Sequence, residues 1–179
     1  ITRCFTLDEM SGELRVSCEL DRETMPRVEL QLLATISTQN GDIIGYSRII
    51  IDILDINDNK PEFSLNVYVT AITDNHGDDD VIQVVAMDTD IGNNSVIVYS
   101  LTDPEGVAVN ATNYFEIDNS TGIITLSGPS IDIGDYRLIA VATDSGMSMQ
   151  LSSTAVVLIC VTRSQPSQIT FVTRSFRIA

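Results

Sequence analysis

Residues 55 to 63 read Asp-Ile-Asn-Asp-Asn-Lys-Pro-Glu-Phe, and this stretch, DINDNKPEF, decides the fold. Four of its first five side chains carry carboxylate or carboxamide oxygens. It follows the apolar run IIIDIL at 49 to 54 and meets Pro61, which biases Lys60 toward extended backbone. A strand thus runs into a knot of oxygen ligands with no helix after it. One reading is an ordinary Asn/Asp turn. The other is part of a hard-cation site whose remaining ligands come from elsewhere in the chain.

On both sides of this stretch the chain reads as β. Short runs rich in Val, Ile and Thr, such as VIQVVAM at 81 to 87, VIVYSL at 96 to 101, GIITL at 122 to 126 and TAVVLICV at 154 to 161, alternate with Asp, Asn, Ser and Gly clusters. No segment keeps a helical period for three turns, and the pattern predicts a β-sandwich. The chain also repeats itself. FTLDEMSGELRV at 5 to 16 is echoed by FEIDNSTGIITL at 115 to 126, and LQLLATIS at 30 to 37 by RLIAVATDS at 137 to 145. Phe63 and Tyr68 are echoed by Phe171 and Phe176. A period near 110 is a whole domain, so a partial first copy is expected to be followed by a complete second and the start of a third. The natural protein is then expected to continue on both sides.

Composition narrows the partners. The 179 residues carry 25 Asp and Glu against 10 Lys and Arg, a net charge of -15, which disfavours nucleic acid and anionic lipid and favours cations. The longest apolar runs are too short to cross a bilayer. The start, ITRCFTLDEM, lacks a signal-peptide layout, so any signal or anchor is expected outside this chain. Cys4 and Cys18 are equidistant from Ser11, so a hairpin about that turn would set them opposite each other, as a cross-strand disulfide or as two free thiols. Strand parity turns Cys160 outward. Sequons at Asn93, Asn110 and Asn119 agree with an extracellular glycoprotein.

DTDIGN at 88 to 93 and DINDN each open like an EF-hand loop, but the twelfth positions are Tyr99 and Asn66 rather than Glu. A local loop is therefore excluded, and ligands must converge from distant segments. Such a cluster repels itself without a cation, by about 1 kcal/mol per pair 5 Å apart in water and about 3 at an effective dielectric near 20. The lone His76 beside GDDD at 77 to 80 reads as neither ligand nor catalyst. One histidine and no nucleophile elbow predict no enzyme and no small-molecule substrate.

LDRE at 20 to 23, DINDNKPEF, AMDTDIGNNSVIVYSL at 86 to 101, the FEIDNSTGIITL hairpin and ATDSG at 142 to 146 together, in this order, resemble extracellular cadherin repeats. The resemblance implies all-β, tandem Greek-key seven-stranded sandwiches joined end to end. Residues 1–59 would be the later part of one repeat with a calcium-binding linker, 60–162 a complete repeat, and 163–179 a calcium-free linker opening a third. It further implies calcium between repeats. Its ligands would be Asp21 and Glu23 from LDRE; Asp55, Asn57 and Asp58 through side chains with Ile56 and Asn59 through carbonyls; then Asp88, Asp90, the Asn94 carbonyl and Asp144. The implied function is cell adhesion or mechanical linkage, with other cadherin-type ectodomains as homophilic or heterophilic partners. The alternative is a receptor segment displaying a face to a heterophilic ligand.

Two departures from the pattern are expected to matter. Ile36 stands where Asp144 stands in the second copy, so the junction above the first copy should lack a full calcium set. Below the second, Asp74 replaces a glutamate, IDIG at 131 to 134 keeps Asp132 but puts Gly134 for the other acid, and VTRSQP at 161 to 166 replaces the acidic linker. Arg163 puts a positive charge there, and Ile169 and Phe171 are candidates for direct packing instead.

Overall fold

A computed structural model of the chain describes residues 4–77, 79–105 and 111–164. Two groups of strands stand on either side of DINDNK. The first holds β1 (Phe5–Leu7), β2 (Leu14–Val16), β3 (Arg27–Thr38) and β4 (Gly41–Asp52), paired as two hairpins. The second holds β5 (Glu62–Phe63), β6 (Val67–Thr73), β7 (Ile82–Gln83), β8 (Ala86–Met87), β9 (Val98–Thr102), β10 (Phe115–Ile117), β11 (Ile123–Leu126), β12 (Gly134–Thr143) and β13 (Ser152–Thr162).

The second group is a β-sandwich. One sheet runs β6-β13-β12-β9; the facing layer is β10-β11-β7 with the pair β5-β8. Nine segments make seven strands because two are broken. β5 pairs with β8 while β6 pairs in parallel with β13, so the chain changes sheets between Phe63 and Val67. VIQVVAM is likewise split: Ile82 and Gln83 pair with β11, and Ala86 and Met87 with β5. Tyrosine hydroxyls hold these breaks together. Tyr99 Oη accepts the Ala86 N–H at 2.8 Å, and Tyr68 Oη donates to the Val85 carbonyl at 3.0 Å.

Alternation builds the core as period-2 strands require. On β12, Tyr136, Leu138, Ala140 and Ala142 point in, and on β13, Ala155, Val157, Ile159 and Val161; they meet Val84, Phe115, Ile124 and Leu126 of the other layer. The β1–β4 group has a smaller buried cluster of Phe5, Val28 and Leu30.

The internal repeat holds in three dimensions. Phe5 faces Val16 as Phe115 faces Leu126, and Gly12 and Gly122 take left-handed φ values of 71° and 70°. Asp8 accepts the Ser11 N–H at 2.8 Å, as Asp118 accepts that of Thr121 at 2.8 Å. Phe171 and Phe176 lie outside the described residues.

One expectation is corrected. The β1–β2 register centres between Met10 and Ser11, so Cys4 lies opposite Ser17, whose N–H bonds the Cys4 carbonyl at 2.8 Å. Cys18 is one residue further, and the disulfide Cys4–Cys18 forms along that diagonal, with Cα atoms 4.9 Å apart. Cys160 is free and exposed, as parity implied.

Candidate metal centre

Three segments converge where the first group of strands meets the second. The first is a turn organised by Asp21, whose Oδ1 accepts the Glu23 and Thr24 N–H groups at 2.9 and 3.2 Å, while its Oδ2 accepts Thr24 Oγ1 at 2.6 Å. These bonds, led by Thr24, hold the Asp21 carboxyl below its usual range. The turn aims Arg22 and Glu23 at the second group. The Arg22 guanidinium forms ion pairs with Glu23 and Asp55, and its Nη2 donates to the Thr89 carbonyl at 2.8 Å.

The second segment is DINDN, which is irregular with a bend at Asn57 and along which burial alternates. Asp55, Asn57 and Asn59 are half-buried, whereas Ile56, Asp58 and Lys60 are exposed. Asp55 Oδ2 accepts the Ile91 N–H at 3.3 Å and Asn94 Nδ2 at 2.9 Å. Asn57 Nδ2 donates to Asp144 Oδ1 at 3.1 Å and to the Met149 carbonyl at 2.8 Å. Asn59 Nδ2 donates to Asp90 Oδ1 at 2.8 Å and Asp58 Oδ1 at 2.9 Å. The Ile56 carbonyl accepts the Asp58 N–H at 3.0 Å. Buried Pro61 then starts the next strand.

The third segment is the top of the sandwich. Asp90 and Asp144 are 4% and 0% exposed, an environment carboxylates occupy only with partners. Asp144 has them: beyond Asn57, it accepts the N–H groups of Gly146 and Leu151, each at 2.9 Å. Asp88 is less well served. Burial raises its pKa, the neighbouring Asp90, Asp144 and Asp55 raise it further, and its buried Oδ2 has no hydrogen-bond partner. Asn57 Oδ1 is also buried without a partner.

One carboxylate oxygen from each of Glu23, Asp55 and Asp90 lies within 4.8 Å of the others. Asp88 Oδ1 accepts the Asp90 N–H at 2.9 Å beside this trio, and Asn57 and Asp144 bond each other; Asp21 turns inward on its own loop, and Asp58 engages Asn59. Asn94 contributes its side-chain amide as a donor to Asp55. The candidate donors are all oxygen, two buried oxygens lack partners, and burial together with the neighbouring carboxylates raises the pKa of Asp88. These are the marks of a hard-cation site.

Four participants carry no signal of their own in the sequence. Arg22 lies among the acids, its stem long enough to reach them. Thr89 and Met149 act only through main-chain carbonyls, which no side-chain pattern reveals. Gly146 has the clearest physical reason: a Cβ there would stand 2.2 Å from Asn57 Nδ2 and 2.4 Å from the Met149 carbonyl, so only glycine lets the linker dock.

At the opposite end, Asp74 Oδ1 accepts the Ser164 N–H at 2.8 Å, and the Asp132 carbonyl accepts Tyr136 Oη at 3.0 Å. The bonds from Ser164, with the charge of Arg163, keep the Asp74 carboxyl below its usual range. Ile36 is exposed on β3, and Asn93 and Asn119 are exposed. The His76 ring approaches the Asp80 carbonyl at 3.4 Å. Asp78, Asn110, Ile169, Phe171 and the linker beyond Ser164 lie outside the described residues.

A sequence model of the Cadherin domain matches residues 68–162. Human protocadherin Fat 1 is 35% identical over 161 residues, covering 88% of this chain and 4% of its own length. Protein dachsous of Drosophila melanogaster is also 35% identical, over 162 residues, with coverage of 88% and 4%. The crystal structure of mouse cadherin-23 EC22-24 superposes with a TM-score of 0.78 at 28% identity, covering 90% of this chain and 50% of that one. The chain therefore spans about a twenty-fifth of the length of these curated relatives.

Proposed function

The chain belongs to the cadherin family, whose repeats are adhesive and structural modules rather than enzymes, and on that premise we propose that it is a calcium-stiffened segment of an adhesive ectodomain. Residues 1–59 belong to one repeat and its linker, 60–162 form a complete repeat, and 163–179 lead into a third. Calcium bridges the first two. Glu23, Asp55, Asp90 and Asp88 would hold it through carboxylates and Asn57 through Oδ1, with Asp21, Asp58, Asp144 and the carbonyls of Ile56, Asn59 and Asn94 completing the set.

The carrying observation is the convergence of Glu23, Asp55 and Asp90 beside the unpartnered oxygens of Asp88 and Asn57. When bound, the ion supplies the positive charge that Arg22 alone provides. The residues themselves do the rest: Asp144 and Asn94 fix the linker from the sandwich side, and Asp21 fixes the turn that presents Glu23. Extracellular calcium modules typically bind at about 0.1 to 1 mM, so such a joint is loaded outside a cell. The partners are other cadherin-type ectodomains, and the natural setting is the outer face of the plasma membrane.

Thermal melts in chelator and in 2 mM calcium test the reading. A ligand confined to the folded state raises Tm by mass action, and Asp90→Asn should remove most of the rise. Identical wild-type curves in both buffers would end the proposal.

A further inference from the structure

Strand β13 outlasts both of its neighbours. Its last partner on β12 is Gly134, opposite Val161, and its last partner on β6 is Thr73, opposite Thr162. There β6 turns away, with the His76 N–H bonding the Thr73 carbonyl at 3.1 Å. The next residues, Arg163 and Ser164, enter VTRSQP, which stands where the other joint has its acidic linker. Left to the strands alone, their main chain would go unpaired.

Asp74 prolongs the ladder instead. In a parallel pair a residue gives its N–H to one residue of the neighbouring strand and takes on its carbonyl the N–H two residues further along. Asp74 makes the first bond, to the Thr162 carbonyl at 2.8 Å. Two residues further along is Ser164, and its N–H goes to Asp74 Oδ1, at 2.8 Å. The Asp74 main-chain carbonyl is engaged elsewhere, by the Ile131 N–H at 3.3 Å. The carboxylate therefore stands in for the carbonyl that the turn has carried off. The Ser164 hydroxyl and N–H, with the charge of Arg163, hold this carboxyl below its usual range, so it is an anion and the bond is charge-assisted. Asp74 and Ser164 are both half-buried, which shields the bond from water. Thr162 adds a second tie, its Oγ1 donating to the Ile72 carbonyl at 3.2 Å. The reach is specific to aspartate: one methylene more, and a glutamate would set its oxygens beyond the Ser164 amide.

We propose that Asp74 is a linker clamp, which makes Arg163 and Ser164 part of the rigid body of the second repeat without a metal and moves the pivot of the joint below it beyond Ser164. The two joints are then held in opposite senses. DINDN is gripped by the repeat that follows it: Asp144 and the Met149 carbonyl hold Asn57, and Asn94 holds Asp55. VTRSQP is gripped by the repeat that the chain is leaving. Such a clamp needs neither an ion nor the next repeat in order to form. It also commits Asp74, which replaces a glutamate of the family pattern, to a partner inside its own repeat. None of the proposed calcium ligands takes part, so the clamp stands apart from the calcium reading of the first joint.

Amide hydrogen exchange of the whole chain, followed by NMR in chelator and in calcium, tests the clamp. The expected result is a protected Ser164 amide in both buffers, with a scalar coupling from its nitrogen to Asp74 Cγ across the hydrogen bond. Asp74→Ala should speed exchange at Ser164 at least about tenfold, as expected for loss of a bond to a charged group, while Leu158 and Val161 keep their rates. Asp74→Asn keeps an acceptor at the same reach and should restore part of the protection, which a general loosening of the fold would not do. A Ser164 amide that exchanges in the wild type at the rate of an open chain would overturn the proposal, and that measurement needs no variant. Protection that appears only with calcium would overturn it in favour of a metal-held joint. Protection that survives Asp74→Ala, or exchange as fast in Asp74→Asn as in Asp74→Ala, would overturn it too.

Discussion

Gly146→Ala is the most incisive single perturbation of the joint, because it adds one methyl and removes no ligand. That methyl would stand 2.2 Å from Asn57 Nδ2, over 1 Å inside an ordinary contact, and 2.4 Å from the Met149 carbonyl oxygen. Gly146 does not have a left-handed φ, so alanine strains no backbone and the clash acts alone. Asn57 must withdraw, losing its bonds to Asp144 at 3.1 Å and to Met149 at 2.8 Å. A neutral bond contributes about 1 kcal/mol and one to a charged group about 1.5 to 3, while the stiffer unfolded chain returns about 0.4 to 1. The net loss is about 2 kcal/mol. If Asn57 Oδ1 ligates calcium, a coupling of this size weakens binding by roughly thirtyfold. Calorimetric titration of wild type and variant with calcium measures this, alongside melts in chelator. Equal calcium affinity in the two proteins would refute the reasoning, and an unchanged melt would show that Asn57 does not need its seat.

The two hairpins give a matched test of the repeat: Gly12→Ala should cost only the left-handed penalty, about 1 kcal/mol. Gly122→Ala adds a Cβ only 2.3 Å from the Val84 carbonyl and should cost at least about 2 kcal/mol, readable as the larger fall in Tm. Asp118 has its pKa depressed chiefly by Ser120 and Thr121, so its stabilisation is present above the unfolded value near 3.9 and lost as pH falls through the folded value. Asp118→Asn should therefore melt lower at pH 7 and show a shallower loss of Tm below about pH 4. Below the second repeat, where Asp74 is taken up by Ser164 and Arg163, no calcium should bind. Small-angle scattering of a form carrying the complete second and third repeats should show an angle indifferent to calcium, and a straight calcium-dependent rod would contradict this.

Much of this was legible in sequence because it rests on local rules. The Phe, Asp and Gly of the two hairpins recur 110 residues apart, each doing a job no other residue does as well: filling the core, capping the turn, taking positive φ. The acids of LDRE, DINDN and DTD could be gathered only through the family resemblance, since no period in the chain brings Glu23 to Asp90. The Cys4–Cys18 pair sits one residue off the symmetric register because the turn centres between Met10 and Ser11 rather than on Ser11. Gly146 has no such signature, its role being the space it leaves for a side chain 89 residues away. The bond between Asp74 and Ser164 is hidden for a related reason. The two lie 90 residues apart, and only the parallel pairing of β6 with β13 brings them together.

The central claim is that DINDN, LDRE and the sandwich top hold calcium. It is tested most directly by anomalous diffraction from crystals grown in millimolar calcium. Anomalous density is expected about 2.3 to 2.6 Å from carboxylate oxygens of Glu23, Asp55 and Asp90, with the Arg22 guanidinium displaced from between Glu23 and Asp55. Arg22 still paired with both acids in calcium, with no anomalous density among the three carboxylates, would contradict it.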